Sequence, residues 1–75
     1  MSKAHDNLLR LLAQNVRRLR KQCCLTQEEL ALHADVDRTY VSQIERAVGN
    51  PSLLILSRIA AALRTDVATL LSLSA

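Results

Sequence analysis

Three residues, Asp35, Val36 and Asp37, separate two short helical segments near the middle of this chain, and no other feature restricts the fold as tightly. A joint that short keeps the two helices in contact and makes them cross steeply. Asp35 tolerates a left-handed backbone, Val36 is an apolar plug between the helices, and Asp37 suits the N-cap of the second. The first segment, residues 27–34, opens after Thr26, which forms a T-x-x-E capping box with Glu29. Leu30, Ala31 and Ala34 face inward. The second segment spans residues 38–46. At 100° per residue, Val41 and Ile44 form its inner stripe, flanked by Tyr40 and Glu45. Arg38, Thr39, Ser42, Gln43 and Arg46 share the opposite arc.

Three further helices are predicted around this pair. Residues 6–22 place Leu8, Leu9, Leu12, Val16, Leu19 and Cys23 on one face, with Asp6 as N-cap and Leu11 exposed among the charges. Residues 52–63 turn Leu53, Leu56, Ile59, Ala60 and Leu63 inward, with Pro51 suited to the first turn. Asp66 caps a last helix over residues 67–73. Leu and Ala dominate, Phe and Trp are absent, and there is one Gly and one Pro, a bias that favours helices over strands. The expected fold is a single all-α domain of five helices over residues 1–75, since 75 residues leave room for no second domain.

The outer arc of residues 38–46 indicates a partner. A polar helix face is by itself only a solvated face. This one has two cations, three neutral hydrogen-bonding side chains and no acid, on the second of two helices joined by three residues. An α-helix fits the major groove of B-DNA, where Arg pairs with guanine and Gln with adenine, each worth roughly 1–3 kcal/mol of discrimination. The net charge of +3 suits an anionic partner. Gln27 opens the first helix of the pair beside unpaired backbone amides, a place for a phosphate.

Arg20 and Glu45 both fall on the flanks of apolar stripes, and charges near a core need partners, so the two are expected to pair and fix the first helix against the third. Leu54, Ile55, Leu71 and Leu73 do not all fit an inward stripe and are expected to form a symmetric dimer interface.

Other classes fare badly. Cys23 and Cys24 are adjacent and make neither a staple nor a zinc site; the expectation is a reduced cytoplasmic protein with Cys23 at the core edge. No membrane span, export signal, metal, cofactor or small-molecule ligand is expected. His5 and His33 lie far apart in sequence, and one Gly builds no phosphate loop, so no catalysis is expected.

The stretch LTQEELALHADVDRTYVSQIERAVGNPSLLILSRIAAAL, residues 25–63, resembles the phage-repressor and Cro-like (XRE-type) helix-turn-helix family, through T-Q-x-x-L-A, Y-V-S-x-I-E-R, N-P-S-L and I-A-x-A-L. The likeness extends over roughly residues 14–71. It implies a lambda-repressor-like five-helix domain with its helix-turn-helix at about 27–46, acting as a dimer on a palindromic operator in double-stranded DNA to regulate transcription. Carried onto this chain, it makes Arg38, Thr39 and Gln43 the base readers. Gln27, Tyr40, Ser42, Arg46 and Asn50 become backbone contacts, and Arg20 with Glu45 the structural ion pair. The run D-R-T-Y-V-S-Q-I-E-R followed by N-P-S-L is similar to the controller proteins of restriction–modification systems. An antitoxin that binds both a toxin and its own operator is the alternative. One departure concerns the backbone. Where the family often has Gly, this chain has Cys24, Asp35, Ala47 and Arg64, and a left-handed backbone there would cost about 1 kcal/mol each.

Overall fold

The computed structural model describes residues 3–73, and these form five α-helices: α1 (Lys3–Gln22), α2 (Gln27–Ala34), α3 (Arg38–Glu45), α4 (Leu53–Ala62) and α5 (Val67–Leu70). Among the described residues there is no strand. Helix α3 packs on α1 and α2, α2 packs on α4, and α5 bridges α1 and α4. The core between them is aliphatic. Val16, Leu30, Val41, Ile59 and Leu70 are its most fully enclosed large side chains, each contributing about 1.5–3 kcal/mol relative to exposure.

The helix starts follow from side-chain caps. Thr26 Oγ1 accepts from the Glu29 amide at 3.0 Å, and Glu29 Oε1 accepts from the Thr26 amide at 2.8 Å, so the capping box closes in both directions. Asp37 caps α3 and Asp66 caps α5. Helix α4 differs from expectation. Ser52 is its N-cap rather than its first residue, and Pro51 lies before the cap.

The helix ends share one device. Cys24, Asp35, Ala47 and Arg64 have φ of 58, 56, 58 and 59°, so all four adopt the left-handed backbone that usually belongs to glycine. The next amide then reaches back five residues: Leu25 to Arg20, Val36 to Ala31, Val48 to Gln43, and Thr65 to Ala60, at 2.9–3.1 Å. These bonds satisfy carbonyls that the helix ends leave open. In the joint, Val36 packs against the core, and Arg58 Nη1 of α4 donates to the Asp35 carbonyl at 3.3 Å. Asp is among the residues that tolerate this backbone best, whereas Ala bears the full strain. Ala47→Gly is therefore expected to raise stability by about 1 kcal/mol, and Asp35→Gly by less. The check is a higher denaturant midpoint with an unchanged slope.

Several expected boundaries and faces are corrected. Helix α1 starts at Lys3, so Asp6 lies in its first turn and is not the cap. Helix α3 ends at Glu45 with Arg46 as C-cap, so the helix-turn-helix spans 27–45. Helix α5 is one turn, not residues 67–73. Cys23 is exposed: its amide still continues the α1 pattern to the Leu19 carbonyl at 2.9 Å, but its side chain borders an open depression with His33 and Ala61 and is not covered. Leu53, first in α4, overhangs the core and is 76% exposed. Leu11 is half-buried rather than exposed.

Leu8 is exposed, while Asn15, seven residues on and on the same face of α1, is buried. The difference lies in what each position meets. Asn15 Nδ2 donates to the Leu70 and Ser72 carbonyls, both at 2.8 Å, and so closes the C-terminal end of α5. Carbonyls there need a donor, which a leucine cannot provide.

Candidate nucleic-acid interface

The outer arc of α3 faces solvent. Arg38, Thr39 and Arg46 are exposed, Ser42 and Gln43 are half-buried, and none of the five enters the core. Tyr40 and Asn50 are also exposed. The arc divides into two parts. Arg38, Thr39 and Ser42 share a depression with Asp37. Asp37 Oδ1 accepts from the Thr39 amide at 2.8 Å, and that backbone hydrogen bond holds its carboxyl below the ordinary value. The carboxylate in this depression is thus committed to capping α3. On the other part, Gln43 lines a groove with Tyr40 and Asn50. Its side chain lies against Gly49, whose φ is 81° and where an added Cβ would meet Gln43 Oε1 at 3.4 Å. Arg46 Nε is turned back toward the Ser42 carbonyl, at 3.4 Å.

Beneath the arc, Glu45 of α3 gathers residues from α1 and α2. Arg20 grips it with two bonds, Nε to Oε2 at 2.6 Å and Nη2 to Oε1 at 2.9 Å, and Arg20 Nη1 also donates to the Leu25 carbonyl at 2.8 Å. The Glu45 side chain is 1% exposed and that of Arg20 13%. Two further residues join that the sequence reading had not placed there. Gln27 Nε2 donates to Glu45 Oε1 at 3.1 Å. Arg17 Nη2 donates to the Glu45 carbonyl at 3.1 Å, and its Nε lies 3.7 Å from Oε1. Gln27, expected at a phosphate, therefore also ties the start of α2 to the end of α3. A signal for Arg17 existed: it precedes Arg20 by one turn and shares its flank of α1.

Burial pushes the Glu45 carboxyl up, but hydrogen bonds from Arg20 and Gln27 and the charges of Arg20 and Arg17 outweigh it, and the group ends below its ordinary 4.5. The hydrogen bond to Glu45 raises Arg20. Glu29 and Asp66 are lowered by the backbone amides they cap. A carboxylate lowered in the folded state stabilises above its unfolded pKa and loses that contribution as pH falls through the folded value. Stability should therefore hold from neutral pH to about 5 and decline below about 4.5 as Glu45, Glu29, Asp37 and Asp66 take up protons. Urea midpoints measured across that range check the onset.

The four leucine and isoleucine positions expected at a dimer interface are not alike. Ile55 and Leu71 are partly buried and pack against the core. Leu54 is 57% and Leu73 89% exposed. Leu73 lines a shallow apolar depression with Leu8 and Leu11 of α1. Among the described residues no cluster of His, Cys, Asp and Glu could hold a metal ion, and no helix is long and apolar enough to cross a membrane.

A helix-turn-helix family model, HTH_3, matches residues 16–70. The chain is 42% identical over 62 residues to control protein C.SmaI of Serratia marcescens, covering 83% of this chain and 74% of that protein. It is 40% identical over 57 residues to the immunity repressor protein of Bacillus phage phi105, covering 76% of this chain but 40% of the repressor. In three dimensions it resembles the restriction-modification controller protein C.AhdI from Aeromonas hydrophila, with a TM-score of 0.78 at 37% identity, covering 83% of this chain and 94% of that one.

Proposed function

The chain belongs to the helix-turn-helix family of DNA-binding regulators, and from that premise we propose that it binds a palindromic operator as a homodimer, as a restriction–modification controller protein acting in the cytoplasm. The observation that carries the reading is the acid-free arc of α3, facing outward on a helix anchored from beneath by Glu45. In this role Arg38, Thr39 and Gln43 read base edges, while Gln27, Tyr40, Ser42, Arg46 and Asn50 hold the sugar–phosphate backbone. The exposed Leu54 and Leu73 serve the dimer contact, with Ile55 and Leu71 behind them. Two α3 helices related by a two-fold axis would enter successive major grooves about 34 Å apart. Regulation follows from occupancy, with no chemistry on the DNA. The likeness to C.SmaI and C.AhdI favours a controller over the antitoxin alternative.

Selection of bound fragments from random duplex DNA tests this. The expected product is an inverted repeat whose half-sites lie one helical turn apart, bound by two copies of the chain. Recovery of no enriched sequence, or of an asymmetric site bound by one copy, would refute the reading.

A further inference from the structure

We infer that α1 carries a second phosphate grip, formed by Arg17 with Lys21 one turn on, which holds the DNA backbone beside the C-terminal end of α3. The inference rests on the DNA-binding reading above and extends it to a helix outside the helix-turn-helix.

The argument begins with charge. Glu45 brings one negative charge, and the two-bonded grip of Arg20 already neutralises it at 2.6 and 2.9 Å. Arg17 is then a surplus cation. Its side chain is 53% exposed, against 13% for Arg20. Its place is fixed all the same, because Nη2 donates to the Glu45 backbone carbonyl at 3.1 Å. Arg17 and Gln27 both approach Glu45 Oε1, so Arg17 stands where the end of α3 meets the start of α2. A guanidinium has five N–H donors in a planar fork that matches phosphate. The contacts with Glu45 leave donors for an anion on the exposed side.

The surroundings suit the same ligand. Between Asp6 and Glu28 the sequence contains no acid, and α1 carries Arg10, Arg17, Arg18, Arg20 and Lys21 in that interval. Lys21 follows Arg17 by four residues, so the two are neighbours on one face, and both are exposed. Arg18 borders a depression with these two residues but is half-buried and already engaged, donating to Asn15 Oδ1 at 3.2 Å. The exposed face of α1 is therefore complementary in charge to a polyanion, and Arg17 joins it to the C-terminal end of α3. Arg10 lies on the same face, two turns back and about 10 Å further from the junction.

The test measures binding of the full chain to two duplexes, the selected operator and a random sequence, over a series of KCl concentrations. Arg17→Ala is expected to weaken both by the same factor, roughly three- to tenfold, and to reduce the slope of log K against log salt by about 0.9 per bound protomer. Arg17→Lys keeps the slope. Lys21→Ala, which removes no bond to Glu45, weakens binding in the same sense, and Arg10→Ala leaves it unchanged. A wild-type slope in Arg17→Ala, even at reduced affinity, would show a purely structural arginine and overturn the inference. So would an Arg10→Ala effect equal to that of Arg17→Ala, or a loss confined to the operator. Wild-type protein that binds neither duplex would overturn this inference and the regulator reading together.

Discussion

Glu45→Ala should lower the stability of the DNA-free protein by about 3 kcal/mol or more, the scale for removing one partner of a buried ion pair. A chain of this size has only about 4–11 kcal/mol in total, so the melting temperature should fall by well over 10 °C at about 4–8 °C per kcal/mol. The cause is the arginine left behind. Arg20 is nearly enclosed, and without Glu45 its guanidinium keeps one partner, the Leu25 carbonyl. A largely buried cation left without its counter-charge is a larger penalty than a lost surface pair, which is worth at most about 1 kcal/mol. Replacing both residues, Arg20→Met with Glu45→Met, should recover most of the loss, because an apolar pair of similar volume needs no partner. Thermal melts of Arg20→Met, Glu45→Met and the double complete the cycle. Near-additive losses would mean that the pair is not coupled and that Arg20 stabilises through Leu25 alone. The double variant should still bind DNA less well, since it gives up the bond from Gln27 to Glu45 that sets the start of α2 against the end of α3.

The residues that a sequence reveals most directly are those whose neighbours are close in the chain. The capping box of Thr26 and Glu29, the Asp37 and Asp66 caps and the inner stripe of α3 depend on spacing within one or two turns, and each is present. The pairing of Arg20 with Glu45 spans 25 residues yet was still legible, because a charge on the flank of an apolar stripe demands a partner. What was not legible depends on where one element overhangs another. Leu8 and Asn15 share a face of α1, and only the position of the short α5 decides that the asparagine is buried and the leucine is not. Cys23 and Leu53 fail for a related reason: each lies at a helix end, where the apolar face extends past the elements that could cover it. The same limit hid Arg17 and the second role of Gln27, since both depend on the closeness of the start of α2 to the end of α3. The four left-handed residues show the opposite case. Asp35 tolerates that backbone, but the side chains of Cys24, Ala47 and Arg64 argue against it, and the reach of the following amide to a helix carbonyl overrides the local preference.

Arg38→Ala should leave folding intact and abolish discrimination at one base position in each half-site. Arg38 is exposed at the first position of α3, away from the Glu45 cluster, so the melting temperature should move by no more than an exposed substitution allows, about 0.5 kcal/mol in stability. A bidentate arginine–guanine pair is worth roughly 1–3 kcal/mol against a wrong base, and a symmetric dimer loses it twice. Operator variants at that base pair, which wild-type protein separates by about five- to 150-fold per half-site, should bind the mutant equally. Arg46→Ala serves as the contrast: it should weaken every operator by a common factor, because a phosphate contact carries no sequence information. Gln43→Ala should relax a second position, but by less than Arg38→Ala. Gln43 is half-buried where Arg38 is exposed, so less of its side chain is free to reach a base edge. Affinities of the Arg38 mutant that match wild type on every operator variant would remove it from the reading surface and leave Thr39 and Gln43 to account for specificity.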